Sequence, residues 1–502
     1  MDYVIQVLTS PLAVDAGQWD ALLQARAEPN PFMRHAYLAA LHASGAASPK
    51  TGWTPRFVTL WLGEGMVGAC ALYLKAHSYG EYVFDHAWAN AYHQHGLKYY
   101  PKALVAVPFT PVPGARLLAR TPADRTALVR GLVAWCEQEK LSSLHLLFAN
   151  DDDVAACASS GLMLRHGVQF HWKNVAPTLV ASRTTLPPEG ANSPRGGPSD
   201  NLPRTFASFE EFLNSLSQEK RKKIRHERRK VAEAGVTFRH ALGADISTAD
   251  WDFFYRCYER TYLEHGNAPY LSRDFFQRMA DTMPENWLLF VAERESRPIA
   301  VSLIAISGMA VALEPDDNPN ASEESKSIAT KNISNYLYET WANGINDSSK
   351  AREHDTSGIS SPSAPAASRA SIFTEPVFQP VDEHAVKPVA ERPAERMETR
   401  IAYGRYWGAL ERVDCLHFEA CYYQPLQWCI EHGFQRFEGG AQGEHKMARA
   451  LMPVKTTSAH WLAQPAFADA VERFLEREGQ GIENYMADLS ERSPYRNHAG
   501  RA

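Results

Sequence analysis

The chain has 502 residues, 45% of them hydrophobic, and a formal net charge of -6. At roughly 150 residues per domain, this length exceeds what one hydrophobic core can organise, so we expect at least two domains. Because the chain is acidic overall, it has no general electrostatic attraction to nucleic acid or to an anionic membrane, and any such binding must be local.

The cysteines and the N-terminus both predict a cytoplasmic protein. Seven cysteines are scattered without a CxxC pair, as is typical of reduced core thiols, at positions 70, 136, 157, 257, 415, 421 and 429. The first residues, MDYVIQVLTSPLAVDAGQWDALL, lack the basic start and apolar core of a signal peptide, and no run of about 18 apolar residues occurs. We expect no transmembrane segment.

Helices and strands alternate in the N-terminal part. Apolar periodicity predicts helices at 16–24 and 33–45, and residues 56–78 predict a hairpin that turns at Gly63–Gly65. Residues 124–150 predict a helix followed by a strand. We place a first α/β domain at 1–180.

Aromatic, imidazole and amide side chains are concentrated inside this domain, before an apolar strand predicted at LVAVPFTPV (104–112). They are His86, Trp88, Asn90, Tyr92, His93, His95, Tyr99, Tyr100 and Lys102. Such residues can line a groove for a sugar, peptide or acyl chain, and the alternative is an aromatic-rich domain interface. Because no spacing matches a zinc signature such as HExxH, we expect no metal at His93 and His95 or at His417 and Glu419.

Two segments are too poor in apolar residues to build a core. Residues 181–204, rich in Pro, Gly, Ser and Asn, predict a flexible linker. Residues 309–400 predict a mostly disordered insertion, in which NISNYLYETWANGI (332–345) could form one short amphipathic helix.

The sequence on either side of the insertion predicts one interrupted sheet. Residues 287–307 predict two strands joined at Glu295–Pro298, and IAYGRYWGAL (401–410) predicts their neighbour. A helix within 420–433 and a strand within 434–440 complete a strand, helix, strand unit with near-parallel strands. With helices at 250–266 and 274–285, this repeats the N-terminal order and predicts a second α/β domain at 205–308 and 401–496.

A strongly basic helix is predicted at LSQEKRKKIRHERRK (216–230), with Leu213, Leu216, Ile224 and Val231 near one face. Its eight basic residues are Lys220, Arg221, Lys222, Lys223, Arg225, Arg228, Arg229 and Lys230. This face could bind tRNA phosphates, the pyrophosphate of coenzyme A or a phosphorylated lipid precursor. The alternative is an ordinary solvated face.

Titratable groups are densest between Tyr403 and Trp461. Acyl transfer to an amine needs a base for the amine proton, and the candidates are His417, Glu419, Glu438, Glu444 and His445. On an extended LHFEAC segment, His417 and Glu419 would share one face. Lys446 and Arg449 are suited to holding an anionic donor or acceptor, and the aromatic-rich strand adds Arg405, Tyr406 and Trp407 as substrate-binding candidates. The alternative is that Glu419 and Glu438 cap or bridge the arginines of 403–412 and that His445 is a surface residue.

Long blocks of the sequence resemble the bacterial FemAB-like predicted N-acyltransferases. The blocks are 84–118, GVQFHWKN (167–174), KRKKIRHERRKVAEAGV (220–236), YGRYWGALERVDCLHFEACYYQ (403–424) and RFEGGAQGEHKMARALMPVKTTSAHW (436–461). The resemblance covers roughly 3–176 and 205–496, and the chain departs from it at 181–204 and 309–400.

The resemblance implies a fold and an activity. Related Fem-type enzymes have two tandem acetyltransferase-like (GNAT) domains and transfer amino acids from aminoacyl-tRNA to peptidoglycan precursors. It implies an α/β fold with mixed sheets flanked by helices, and N-acyl transfer from acyl-CoA or aminoacyl-tRNA to a small-molecule or cell-wall-precursor amine. No clear Q/R-x-x-G-x-G/A pyrophosphate loop occurs, which weakens acyl-CoA as donor. The alternative function is non-catalytic binding of a cell-wall precursor or RNA through the basic helix.

Overall fold

The structure is a computed structural model that describes residues 2–176, 204–308, 399–440 and 443–496. The predicted linker and insertion lie outside the described residues, except for 204 and 399–400, and so does the helix predicted at 332–345.

The N-terminal half contains the predicted helices and hairpin. Its elements are β1 (Tyr3–Leu8), α1 (Ala16–Gln24), α2 (His35–Ala43), β2 (Trp53–Leu62), β3 (Gly65–Lys75), α3 (His86–Gln94), β4 (Lys102–Val105), β5 (Leu118–Ala119), α4 (Pro122–Gln138), β6 (Ser143–Ala149), α5 (Asp151–Ser159) and β7 (Met163–Lys173).

The C-terminal half repeats this order after two additional helices. Its elements are α6 (Phe209–Ser215), α7 (Gln218–Glu233), β8 (Val236–Leu242), α8 (Thr248–Glu264), α9 (Arg273–Thr282), β9 (Trp287–Arg294), β10 (Arg297–Ser307), β11 (Ile401–Ala409), α10 (Gln424–Glu431), β12 (Arg436–Glu438), β13 (Met452–Leu462) and α11 (Pro465–Glu491). A helical turn at Leu416–Phe418 and a π-helical stretch at Glu419–Tyr423 lead into α10.

The thirteen strands of the described residues form one mixed sheet in the order β1-β2-β3-β4-β6-β13-β7-β12-β11-β10-β9-β8, with β5 beside β3. β4 is parallel to β6 and β11 is parallel to β12. The strand order has the same pattern when read from either end. β13, the last strand of the C-terminal half, lies between β6 and β7, and β7, the last strand of the N-terminal half, lies between β13 and β12. The predicted α/β fold class, with a mixed sheet and two similar halves, is confirmed.

The strands on either side of residues 309–398 are neighbours, as predicted. β10 pairs antiparallel with β9 and with β11. The register of β10 and β11 shifts because Leu303 faces Tyr406 while Ile304 faces Gly404, which leaves Arg405 as the extra residue of a β-bulge. A bulge turns side chains away from the regular alternation of a strand.

Two predicted strand segments are wrong. LVAVPFTPV is a strand only up to Val105, because prolines at 108, 111 and 113 lack the N–H that a sheet ladder needs. LHFEAC is helical and not extended, because Leu416, Ala420 and Tyr423 are buried at helical spacing. His417 and Glu419 therefore do not lie on one face of a strand.

Large hydrophobic cores lie on the two faces of the sheet. One contains residues of α1, α2, α8 and α9, and thus joins both halves. Another contains Phe170, Trp172 and Phe437 of the central strands and residues of α6, α7 and α10. In the part of the chain that the structure describes, no helix is long and apolar enough to cross a membrane.

Candidate functional site

A pocket of about 190 Å³ lies over the central strands β7 and β13. It is lined by Tyr82, Val83, Phe84, Phe148, Arg165, His166, Gly167, Val168, Gln169, Thr456, Ser458 and Glu478. Tyr82 and Phe148 have positive φ angles of 63° and 55°, which are unfavourable for aromatic residues. Backbone strain of this kind concentrates at functional sites, so the pocket is the principal candidate.

Polar side chains connect the pocket lining to a buried carboxylate. Gln169 and His171 lie two residues apart on β7, with Gln169 Oε1 3.3 Å from His171 Nε2. His171 faces Glu438 across the β7–β12 pair, with His171 Nδ1 4.0 Å from Glu438 Oε1. Gln169, His171 and Glu438, here called the central polar series, therefore extend from the pocket into the interior between the two halves.

Burial shifts both titratable groups of this series. Burial raises the pKa of Glu438 to about 7, against the opposing effect of Arg436, whose Nε donates to Glu438 Oε1 at 2.9 Å. Burial lowers the pKa of His171 to about 3, so this imidazole is neutral at pH 7. The second oxygen of Glu438 is buried without a hydrogen-bond partner in the described structure. A carboxyl that titrates near neutral pH can exchange a proton in catalysis.

Arg436 joins Glu438 to the N-terminal half. Its guanidinium Nη1 donates to Glu28 Oε1 at 2.9 Å, and Nη2 forms a second bond to the same carboxylate at 2.5 Å. The alternative expectation for Glu438, a bridge to arginines of 403–412, is wrong because its arginine partner is Arg436.

Glu419 is buried among partners that differ from those expected. It accepts hydrogen bonds from Arg228 of α7 at 3.1 Å and Gln424 at 2.7 Å, so a bridge to arginines of 403–412 is again wrong. Burial raises the pKa of Glu419, while Arg228 opposes the rise. It lies with the core that faces α7 and α10, whereas Glu438 points to the opposite face of the sheet.

Arg449 also connects α7 to this core. Its Nη2 donates to both carboxylate oxygens of Glu227 at 2.8 and 2.9 Å, Tyr423 OH donates to the same group, and the guanidinium lies 3.5 Å from the Phe418 ring centroid. All four side chains are largely enclosed, so this cluster anchors the basic helix.

The other candidates of 403–461 are spread around this anchor. Glu444 is exposed and bonds Tyr485 at 2.7 Å and Arg492 at 3.1 Å. His445 is exposed, with Nε2 3.2 Å from Tyr422 OH. Burial lowers the pKa of His417 to about 4 and that of Lys446 to about 8. Lys446 Nζ donates to the Gly440 carbonyl at 2.9 Å.

The aromatic concentration of 86–102 is divided between packing and surface. Trp88, Tyr92 and Tyr99 are buried in a cluster with Val471 and Leu475 of α11. Tyr100 is partly buried, and its hydroxyl lies 2.8 Å from Ser78 Oγ. His86, Asn90, His93 and His95 are exposed.

The basic residues of α7 are also divided. Lys222, Lys223, Arg225, Arg229 and Lys230 are exposed, and Lys220 and Arg221 are partly so. Arg228 differs, because its guanidinium donates to Glu419 and Gln427. Leu213, Leu216, Ile224 and Val231 are all buried, although Leu213 belongs to α6 and Leu216 to the connection.

The three substrate-binding candidates of β11, Arg405, Tyr406 and Trp407, lie in different surroundings. Arg405 lies between aromatic rings, 5.2 Å from the Phe32 centroid and 5.1 Å from that of Tyr406. Tyr406 is buried in the core shared by both halves. Trp407 contacts the His417 ring at 5.4 Å.

Sequence reasoning missed the pocket lining and the polar partners of Glu438. Gln169 and His171 alternate along a strand with the buried aromatic residues Phe170 and Trp172, so their shared face was a detectable signal. Tyr82 and Phe148 had no such signal, because a positive φ angle cannot be read from an aromatic residue type. The described residues contain no group of three or more His, Cys, Asp or Glu side chains that could hold a metal ion.

The repeated order of elements defines an α/β protein of two similar halves with a pocket over its central strands. Solved structures that match include FemX (11% identity, 91% of this chain, 98% of that chain, TM-score 0.41) and L-PGS from Bacillus licheniformis (9%, 89%, 98%, 0.41). A tandem GNAT protein from the clavulanic acid biosynthesis pathway also matches (10%, 92%, 99%, 0.37). No curated protein matches the chain.

The chain belongs to the FemAB-like family, described as peptidoglycan biosynthesis/recognition. The family matches residues 10–178, 201–311 and 387–497. The two internal segments left unmatched, 179–200 and 312–386, fall within or beside the predicted linker and insertion.

Proposed function

We propose that this protein is a cytoplasmic N-acyltransferase that moves an acyl or aminoacyl group to the amine of a peptidoglycan precursor. Family membership supports the link to peptidoglycan. The observation that carries the proposal is the central polar series, which connects the pocket lining to a buried carboxyl with a pKa raised to about 7.

In the proposed reaction the amine nitrogen attacks the carbonyl carbon of an ester or thioester donor. A C–N bond forms, the C–O or C–S bond breaks, the nitrogen loses a proton and the leaving oxygen or sulfur gains one. We assign Glu438 as the group that takes the amine proton, with His171 and Gln169 between it and the pocket. Neutral His171 suits this position because one ring nitrogen donates while the other accepts.

The donor is either an aminoacyl-tRNA or an acyl-CoA. The exposed basic side chains of α7 support a donor with phosphate groups, since both donors carry them. We place the acceptor amine in the pocket and the phosphates of the donor on α7.

The test incubates the full chain with aminoacyl-tRNA or acyl-CoA pools and peptidoglycan precursor peptides that have a free amine. Mass spectrometry should show the acceptor gaining one acyl or aminoacyl group. Glu438→Gln should lower the rate by about 100-fold or more, because a general base contributes about that factor. Glu444→Gln is the matched control, since that carboxylate is exposed and is not part of the pocket lining.

Two outcomes would count against the proposal. If folded Glu438→Gln keeps the wild-type rate, the assigned base is wrong. If no donor yields an acylated acceptor with the wild-type chain, N-acyl transfer itself is wrong.

A further inference from the structure

Arg405 carries a charge without a carboxylate partner in the described part of the chain. No Asp or Glu side chain of residues 2–176, 204–308, 399–440 and 443–496 forms an ion pair with it, whereas Arg436, Arg449 and Arg228 each have one. Its Nη2 donates to the Phe109 carbonyl at 2.9 Å, with Thr110 Oγ1 at 3.4 Å, and its buried Nε has no hydrogen-bond partner. An enclosed cation in this state favours an anionic ligand.

The β-bulge gives Arg405 its position. As the extra residue of β11, Arg405 leaves the regular alternation and lies between the rings of Phe32 and Tyr406. Bulges of this kind re-aim side chains next to active sites. Cation–π contacts hold the guanidinium in place without neutralising it.

Tyrosines lie around this guanidinium. Burial raises the pKa of Tyr82 and the charge of Arg405 opposes that rise, so the two side chains are close enough to interact. Tyr82 and Tyr270 are 37% and 38% exposed. Tyr270 stacks on Phe109 at 4.8 Å, and Phe109 has a positive φ of 57°. Tyr82 also lines the pocket, which therefore adjoins these side chains.

We propose that Arg405 and the tyrosines around it form a subsite for an oxyanion, a carboxylate or a phosphate, carried by the molecule that occupies the adjacent pocket. The guanidinium supplies directed N–H donors and the phenol hydroxyls supply further ones. The assignment of the occupant as the acceptor rests on the proposed function, whereas anion binding by Arg405 does not.

The experiment measures equilibrium binding without any donor, so its failure is separate from failure of acyl transfer. Calorimetric titrations use three probes: a blocked dipeptide with a free C-terminal carboxylate, the same dipeptide as its amide, and inorganic pyrophosphate. We expect saturable binding of the carboxylate or of pyrophosphate, at least tenfold tighter than any binding of the amide. The preferred probe identifies the source of the anion.

Variants separate this subsite from a structural role. Arg405→Met should weaken binding of the preferred probe at least tenfold, Arg405→Lys should weaken it less, and Arg412→Met, an exposed control, should leave it unchanged. Because the charge of Arg405 is uncompensated, the melting temperature of Arg405→Met should equal or exceed that of the wild type. Unchanged binding by folded Arg405→Met, or no anion binding by the wild type, would overturn the proposal.

Discussion

The two parallel strand pairs, β4 with β6 and β11 with β12, occupy equivalent places in the two repeats but treat buried charge differently. Beside β4 and β6, Lys102 Nζ donates to Glu81 at 2.8 Å, to Ser78 at 2.9 Å and also to Asp85. Tyr99 OH donates to Asp85 at 2.6 Å and lies 3.2 Å from His145 Nε2. Lys102, Glu81 and Asp85 therefore each have a counter-charge in contact.

Beside the C-terminal pair, one cation has no counter-charge. Arg405 has no carboxylate partner in the described residues, and its buried Nε has no hydrogen-bond partner there. Equivalent strand pairs thus lie beside a cation with carboxylate partners in the N-terminal half and beside one without them in the C-terminal half. We infer that Lys102 acts chiefly in stability and Arg405 chiefly in binding.

Removing the central cation of the N-terminal network should have the largest effect on stability. Lys102→Met leaves two buried carboxyl groups without their partner, so the free energy of unfolding should fall by about 3–5 kcal/mol. Burial alone would raise the pKa of Asp85, but Lys102 holds that pKa below its usual value. Urea denaturation measures the loss, and Lys98→Met at an exposed position is the control. Equal stability of the two variants would contradict a structural role for the network.

The pH dependence of stability should identify Glu438. Its folded pKa of about 7 lies above the ordinary value of 4.5, so its stabilising effect is complete below 4.5 and is lost as the pH rises through 7. Relative to the wild type, Glu438→Gln should therefore gain on the order of 1–3 kcal/mol between pH 4.5 and 8. Denaturant titrations of both proteins at several pH values measure this difference. A constant difference would mean that Glu438 ionises normally.

The basic helix α7 sharpens the comparison, because it adds an exposed basic surface to the C-terminal half. Replacing Lys222, Lys223 and Arg229 by Glu should weaken RNA binding and reduce its salt dependence, while stability changes by less than about 0.5 kcal/mol. Fluorescence anisotropy with a tRNA acceptor-stem hairpin at increasing salt measures this. Glu substitutions at Arg473 and Arg477, exposed on α11, are the control. The same loss in both variants would indicate unspecific charge attraction.

Local pattern predicted the elements of the fold well but not their long-range pairing. The 287–307 hairpin, its neighbour at 401–409 and the parallel β11–β12 pair follow from alternation, turn residues and helix periodicity. The placement of β13 between β6 and β7 depends on contacts across some 300 residues, which no local pattern encodes. The domain boundaries at 180 and 205 stay a prediction.

The site was predictable in composition more than in geometry. The density of titratable groups in 403–461 included Glu438 and Arg405, but the sheet separates Glu438 from Glu419. Alternation along one strand shows which residues share a face of the sheet, but the neighbouring strands and helices must be known before that face can be placed in the fold. Gln169 and His171 come from the N-terminal half, so a search confined to one dense segment could not include them.

β7 and β13 each pair with strands of the other half, and this arrangement has a consequence for synthesis on the ribosome. β6 pairs with β4 on one side and acquires its other neighbour only from β13, which ends at Leu462, more than 300 residues later. Until then the edge of β6 has no permanent partner, and exposed edges invite wrong pairing. A gene fragment that encodes only the first half should therefore give a product that aggregates, and the nascent chain needs a chaperone or the ribosome surface to protect that edge until translation is nearly complete.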